Sequence, residues 1–490
     1  MLSILNLWRL WRYFRAGEFA QACAKFQEDS WLMDSGLGLR CRSQAFYRMG
    51  MYASVAALPV SASNWHAAWP VAVSLAACGN HEKSREILRH LPWSSIPVSK
   101  KIALVTALSQ FMPYEALCLL QTLGNAAPAP LHAGLLLRNG KRLQALDVVR
   151  QALKAGQFQK YPELHLFQTL AEPGGAPLTQ LERLNAFLEL QCVPVLALRR
   201  QNQPPSPINV IMTQTFPSVQ GPLVSVLMTT YRTGERALVA IESLLNQTYR
   251  NLEIIVVDDA SDDETVQNLA QVAKHDSRVR VLALPFNVGT YVAKSIGMKA
   301  ARGEFLTCHD SDDWSHPCKI ARQVQPLIKD SKLIASISYL LRMQDDGVFY
   351  AFGVSPLMRI NPSSLMFRRE VVIEKAGSWD CVRTGADSEF YARLILAFGK
   401  KSVKRIRQPL SLVAHRPGSL MTDAETGHSA KGLSTERLAY WESWSRWHIE
   451  CLALGKKPYI APLATQRAFS APQSIVVPAA HIQQVCSIKI

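Results

Sequence analysis

Apolar and polar positions along this chain follow two different periods, and the change falls near Pro222. In residues 1 to about 200 strand-like alternation is missing, and the pattern predicts successive short amphipathic helices. After Pro222 the pattern becomes that of buried strands alternating with helices. Leu223 to Thr230, Glu253 to Asp258, Val279 to Leu284 and Glu304 to Cys308 read as strands. Between them Glu235 to Gln247 and Gly289 to Ala301 read as helices, and Ser261-Asp262-Asp263-Glu264 reads as a capping box opening another. That alternation predicts an α/β domain with a mainly parallel, Rossmann-like sheet and ligands at the carboxyl ends of its strands.

The helical front half carries a weak internal repeat. Gly17-Glu18-Phe19-Ala20-Gln21-Ala22, Gly50-Met51-Tyr52-Ala53-Ser54-Val55, Gly79-Asn80-His81-Glu82-Lys83-Ser84 and Gly140-Lys141-Arg142-Leu143-Gln144-Ala145 share a pattern. Phe111-Met112-Pro113-Tyr114-Glu115-Ala116 stands in register without the glycine, and the five starts are 33, 29, 32 and 29 residues apart. A glycine can turn the chain between paired helices, and a small residue five places on lets the next helix pack closely. The pattern resembles a degenerate tetratricopeptide array, which implies a concave surface for a protein partner or a long acceptor chain. A plain helical domain with unrelated glycines is the alternative.

Residues 201–221, with Pro204, Pro205, Pro207 and Pro217, read as a linker. The predicted organisation is therefore helical 1–200, linker 201–221, α/β domain 222–425, and a helical extension and tail over 426–490. In that extension Trp441, Trp444 and Trp447 share one broad face, which suits packing against the α/β domain.

Composition refines this only a little. The chain has 490 residues, 48% hydrophobic and 19% charged, which fits folded domains and excludes global disorder. A net charge of +16, from 54 Lys and Arg against 38 Asp and Glu, favours phosphate-bearing ligands, an anionic membrane surface or nucleic acid. Ten scattered cysteines without a CxxC pair give neither a zinc site nor a disulfide framework, so a reducing, cytoplasmic setting is expected. No apolar run approaches the roughly 20 residues needed to span a bilayer. The first twelve residues are broken by Arg9 and Arg12 too early for a signal peptide. They read as the opening helix of the helical domain or as a basic amphipathic helix resting on a membrane.

The sharpest chemistry lies in Asp310-Ser311-Asp312-Asp313, placed after the fourth strand. Three crowded carboxylates repel one another, and a hard divalent cation such as Mn²⁺ or Mg²⁺ would relieve that cost while gripping a diphosphate. An acidic helix cap before Trp314 is the plainer reading.

The spaced motifs together decide more than the cluster alone. Thr229-Thr230-Tyr231-Arg232, Asp258-Asp259-Ala260-Ser261, Asn287-Val288-Gly289, Arg302-Gly303-Glu304-Phe305, Asp310-Ser311-Asp312-Asp313 and Gly385-Ala386-Asp387-Ser388-Glu389 follow one another as in glycosyltransferase family 2. The segment from Pro222 to about Asp423 resembles that family, and the resemblance implies the GT-A fold. It further implies that Thr229, Tyr231, Arg232, Asp259, Lys294, Asp310 and Ser311 contact the nucleotide sugar, Asp259 reading the base, often uracil. It implies Asp310, Asp312 and Asp313 as the metal cluster, with His415 or Arg416 as support for metal or diphosphate, and an ordinary surface loop as the alternative for those two. The general base that would invert the anomeric centre matches Asp387, with Glu389 as rival. The family often has Ala-Arg-Asn where Ala293-Lys294-Ser295 stands here, so a bidentate phosphate contact is lost at that point.

The function expected from this reading is an inverting, metal-dependent transfer from a nucleoside-diphosphate sugar, UDP foremost, to a hydroxyl of a glycan or glycolipid in bacterial surface polysaccharide synthesis. No nucleic-acid partner is expected, and contact with the cytoplasmic face of the inner membrane would be peripheral. The alternative is a repeat scaffold whose transferase-like domain binds nucleotide sugar without turnover.

Overall fold

The computed structural model describes residues 2–28, 36–351, 353–420, 422, 427–429 and 432–487. Met1, and the predicted boundary residues Asp423 and Glu425, lie outside the described residues.

The front half is helical from Leu2–Ala16 to Pro177–Leu190, and consecutive helices pack on one another. Gly17, Gly50, Gly79 and Gly140 sit at turns with φ of 70°, 77°, 81° and 73°, a left-handed conformation that side-chain-bearing residues rarely adopt. The residues five places after each repeat start, Ala22, Val55, Ser84, Ala116 and Ala145, are all 0% exposed. The spacing in the sequence thus corresponds to a recurrent turn and a recurrent close contact.

Gly50 is constrained twice, because a Cβ there would also lie 2.5 Å from Trp441 Nε1. Trp441 belongs to the helix Thr435–Ala453 and donates to the Met49 carbonyl, while Glu442 accepts from both the Ser54 amide and its hydroxyl. On another face Tyr440 and Trp444 join the core of the α/β domain. The tryptophan-rich helix therefore clamps both halves, where the pattern predicted packing on one. Gly50→Ala is expected to cost about 1–3 kcal/mol through backbone strain and displacement of Trp441. A thermal melt checks this; an unchanged midpoint would mean that Trp441 yields freely.

The proline-rich stretch is packed and is no free spacer. Ala197–Leu198 pairs antiparallel with Val210–Ile211. The buried Asn209 side chain donates to the carbonyls of Arg200, Gln203 and Pro204 and so pins the turn. An asparagine amide supplies the hydrogen bonds that prolines cannot donate.

The α/β domain is built on one ten-stranded sheet. Its strands in chain order are β1 (Val224–Thr230), β2 (Leu252–Asp258), β3 (Val279–Ala283), β4 (Phe305–Asp310), β5 (Trp314–Ser315), β6 (Ala335–Met343), β7 (Phe349–Tyr350), β8 (Arg359–Ile360), β9 (Met366–Arg368) and β10 (Val403–Ala414). Spatially they run β3-β2-β1-β4-β9-β6-β10-β5, with β7 and β8 both pairing β6. The β3-β2-β1-β4 half is parallel. Beyond β4, only β6 and β10 pair parallel and the remaining ladders are antiparallel, so the sheet is mixed. β1 and β2 are buried throughout and β4 in all but its last residue, which explains their near-continuous apolar runs, while the edge strand β3 is buried only at Val279.

The capping box does not form. Ser261 donates to Asp258 Oδ1 at 2.6 Å and accepts from the Arg232 amide, and the helix starts only at Thr265. The carboxylate at the end of β2 is a stronger acceptor than an oriented helix end is a partner, so the serine turns back to the strand. No described helix is long and apolar enough to cross a membrane.

Candidate active site

A cavity of about 570 Å³ opens at the carboxyl ends of β1, β2 and β4. Strand register explains what gathers there. Thr229 on β1 lies opposite Asp310 on β4, and Thr230 opposite Asp258 on β2. Thr229, Tyr231, Asp259, Lys294, Asp310, Ser311, Asp312, Asp313 and Asp387 all line the cavity.

Lys294 is its electrostatic centre. The helix Thr290–Ala300 carries Tyr291 and Lys294 one turn apart and therefore on one face. Lys294 Nζ, with its side chain 1% exposed, sits 3.6 Å from Asp310 Oδ1 and 3.6 Å from Asp387 Oδ1. Burial alone would lower the Lys294 pKa, but Asp387 and Asp310 together raise it well above normal, so it is a cation. Asp387 stands in the first turn of the helix Ala386–Phe398, just after Gly385 at φ 87°, and accepts from the Tyr291 hydroxyl at 3.1 Å. Burial pushes the Asp387 carboxyl up, against the pull of Lys294 and Tyr291. That is the direction a proton acceptor working near neutrality requires.

The acidic cluster divides into three environments. Asp310 accepts from Ser363 Oγ at 2.7 Å; burial opposes its ionisation, but Lys294 and Ser363 hold its carboxyl below the usual range. Asp312 Oδ2 accepts from Arg416 Nε at 2.8 Å. Asp313 is buried, takes the Ala414 amide at 3.0 Å, and is pushed well above the usual range by burial and by Asp312 and Asp310. Asp313 ties β10 to the cluster through that amide. Among the described residues no group of three or more His, Cys, Asp or Glu is placed to hold a metal ion.

Other predicted residues take positions that the sequence did not distinguish. Asp259 accepts from the Val288 and Gly289 amides at 2.7 and 2.8 Å, so its carboxylate holds the turn that starts the Lys294 helix. Arg232 forks onto Asp262 at 2.6 Å on the exposed side and is absent from the cavity wall. Glu389 is sealed in the core: Arg393 reaches both of its oxygens and His448 the first, at 2.8 to 3.0 Å. Its side chain is 0% exposed, out of reach of an acceptor. His415 stacks on Tyr350 with ring centroids 3.7 Å apart, also off the cavity wall, whereas Arg416 is on it.

Sequence reasoning missed Tyr291, Arg342, Ser363 and Arg383, all on the wall. Arg383 donates to Asn287 Oδ1 at 2.6 Å and packs where a Cβ on Gly289 would be, 3.2 Å away. Only Tyr291 had a usable signal, since it lies one helical turn from Lys294.

Residues 225–359 match the family described as Glycosyl transferase family 2. That match lies inside the α/β domain, from β1 to β8. It is 31% identical over 157 residues to Glycosyltransferase GlyG of Streptococcus pneumoniae, covering 32% of this chain and 51% of that one. It is 33% identical over 134 residues to UDP-Glc:alpha-D-GlcNAc-diphosphoundecaprenol beta-1,3-glucosyltransferase WfaP of Escherichia coli, covering 27% and 52%. The match thus spans about half the length of these curated relatives. Among solved structures, S. aureus TarS 1-349 in complex with UDP-GlcNAc aligns at 18% identity and a TM-score of 0.35, over 47% of this chain and 65% of that one.

Proposed function

We propose that this chain is an inverting glycosyltransferase moving a sugar from a nucleoside-diphosphate donor, UDP foremost, to a glycan hydroxyl. The observation that carries the reading is the placement of Lys294 midway between Asp310 and Asp387, which puts the donor carboxylate and the candidate base on one cavity. The Escherichia coli relative, by name a UDP-Glc-dependent glucosyltransferase, supports the choice of nucleotide.

Asp387 takes the proton of the acceptor hydroxyl as its oxygen attacks the anomeric carbon. The bond from that carbon to the diphosphate breaks, and the nucleoside diphosphate departs on the opposite face. Lys294 favours the ionised forms of Asp387 and Asp310 against burial, and Tyr291 orients Asp387 by its hydrogen bond.

Asp310 and Asp312 would hold a Mn²⁺ or Mg²⁺ ion together with the donor's phosphates, since no cage of three or more such ligands stands among the described residues. Asp310 Oδ1 meets Lys294 only at 3.6 Å, and Asp312 is engaged by Arg416 through Oδ2. Such an ion would supply charge neutralisation for the departing diphosphate. The helical front domain is read as a tetratricopeptide-like surface, and the basic charge as compatible with peripheral contact at a membrane face.

The test is donor turnover with a panel of UDP-sugars with and without chelator. Chelation is expected to abolish transfer, and Asp312→Ala to weaken Mn²⁺-dependent UDP binding roughly 10–100-fold. Full activity in excess chelator would remove the cation from the reading. Inversion is read directly from the anomeric configuration of the product.

A further inference from the structure

We propose that the exposed side of the first helix, Leu2–Ala16, is a docking surface for an anionic phospholipid membrane. This gives a location to the peripheral membrane contact of the proposed function, on which it rests, and does not involve the transfer chemistry. With about 3.6 residues per turn, Trp8, Trp11, Arg12 and Arg15 share one side of the helix, and Leu10, Tyr13 and Phe14 the other. The second side is used in folding. Leu10 is buried with Ala22 and Phe26 of the helix Phe19–Glu28, and Tyr13 and Phe14 pack beside them. The first side stays in water: Trp8 is 56% and Trp11 54% exposed, and Arg9, Arg12 and Arg15 are exposed too.

A helix that already buries one apolar stripe gains nothing in folding from two tryptophans on its opposite side. At the headgroup level of a bilayer the same rings leave water while the indole N–H still finds an acceptor. The arginines suit that position as well. Arg12 Cζ lies 5.7 Å from the Trp8 ring centroid, and Arg15 Cζ 4.2 Å from that of Trp11. Each pair sets apolar surface beside positive charge, which matches the boundary between acyl chains and lipid phosphates. A guanidinium already over one face of each ring also favours insertion among headgroups over stacking on a nucleic-acid base. The chain has no Asp or Glu before Glu18, so the helix itself carries nothing that repels an anionic surface.

The charge continues beyond the helix, supplied by distant parts of the chain. Lys400 Nζ donates to the Ala16 carbonyl at 3.4 Å, so a basic segment of the α/β domain abuts the helix end. In that segment Lys400, Lys401, Lys404 and Arg405 are exposed. Lys457 Nζ donates to the Ala397 carbonyl, just before Lys400, at 2.5 Å. Beside Lys457, Lys456 is exposed and Leu454 is 71% exposed. The half-buried Glu18 and the exposed Glu450 are the acids nearest to these segments in sequence. Three separate stretches thus meet at one basic corner with apolar side chains in water. Lysines and arginines within a Debye length of an anionic leaflet are drawn to it, and the buried rings add their own share.

The experiment sediments the full chain with vesicles of equimolar phosphatidylglycerol and phosphatidylcholine and, in parallel, of phosphatidylcholine alone. Binding to the anionic vesicles is expected to be about tenfold or more tighter and to weaken with salt. Replacing the three arginines together (Arg9→Gln, Arg12→Gln, Arg15→Gln) should lower that affinity by about tenfold or more. The pair Trp8→Ala and Trp11→Ala, which leaves the charge intact, should also weaken it about tenfold, whereas a purely electrostatic contact would not respond. Lysine at the three arginine positions should retain binding. Thermal midpoints are measured throughout, and a combined variant that melts early is replaced by its single substitutions. Equal affinity for neutral vesicles, or wild-type affinity in the tryptophan variant, would overturn the proposal. So would a single-stranded oligonucleotide that binds through the same residues more tightly than the anionic vesicles, or a chain dimer that the tryptophan substitutions dissociate while vesicle binding persists. UDP binding without vesicles should stay at the wild-type level in every variant, which tells failure of this surface from failure of the transferase reading.

Discussion

Asp387→Asn is expected to reduce kcat by roughly 10²–10⁴-fold, the usual worth of a positioned general base, while UDP binding persists. Asparagine keeps the shape and can still meet the Tyr291 hydroxyl, but it cannot take a proton. Because burial raises the Asp387 pKa above its ordinary value, the wild-type rate should be present above that raised pKa and fall as pH drops through it. The variant should lose this acidic limb along with its activity. A pH profile of kcat, with UDP affinity measured calorimetrically at each point, checks both statements. Normal turnover would remove Asp387 from the role, and lost UDP binding would make it a donor ligand instead.

The second large effect concerns stability. Glu389→Ala leaves Arg393 buried at 0% exposure without its carboxylate, and breaking a buried ion pair in this way costs about 3–5 kcal/mol. The loss should appear as a lowered midpoint in thermal or urea unfolding. Glu389→Gln, which retains shape and one acceptor, should fall between the two. Although burial opposes its charge, Arg393 and His448 bring the Glu389 pKa from 4.5 down to about 2. A depressed folded pKa means that the charge stabilises the fold fully above about pH 4.5 and loses this effect as pH falls towards 2. The Gln variant should lack that component of acid sensitivity. A variant with wild-type stability would place the cluster outside the folding core.

These two carboxylates lie two residues apart in one helix turn, yet they have opposite surroundings. Motif register alone left both as candidates for the base. One side of the helix Ala386–Phe398 meets the cavity and Lys294; the other carries Arg393 and meets the helix Thr435–Ala453. The distinction depends on His448, almost sixty residues further on, whose distance in sequence hides its proximity.

The same logic separates the members of the acidic cluster. Asp310, Asp312 and Asp313 look equivalent as neighbours in a chain. Each acquires its character from a distant partner: Lys294 and Ser363 for Asp310, Arg416 for Asp312, and the Ala414 amide for Asp313. Asp259 likewise takes its position from later residues, accepting two amides of the turn at Val288 and Gly289 while lining the cavity.

By itself the sequence determined what depends on local periodicity and local sterics. The helical front half, the four parallel strands and the polar residues at their ends follow from apolar spacing, which dictates which face a residue must bury. The repeat glycines follow from the left-handed turn that few other residues accept. The tertiary structure alone decided which charges meet, that the far half of the sheet is mixed, and that Trp441 and Tyr440 on one helix clamp two halves together. Those outcomes depend on strand order and on burial, which raises or quenches a carboxylate's charge according to partners brought from far along the chain.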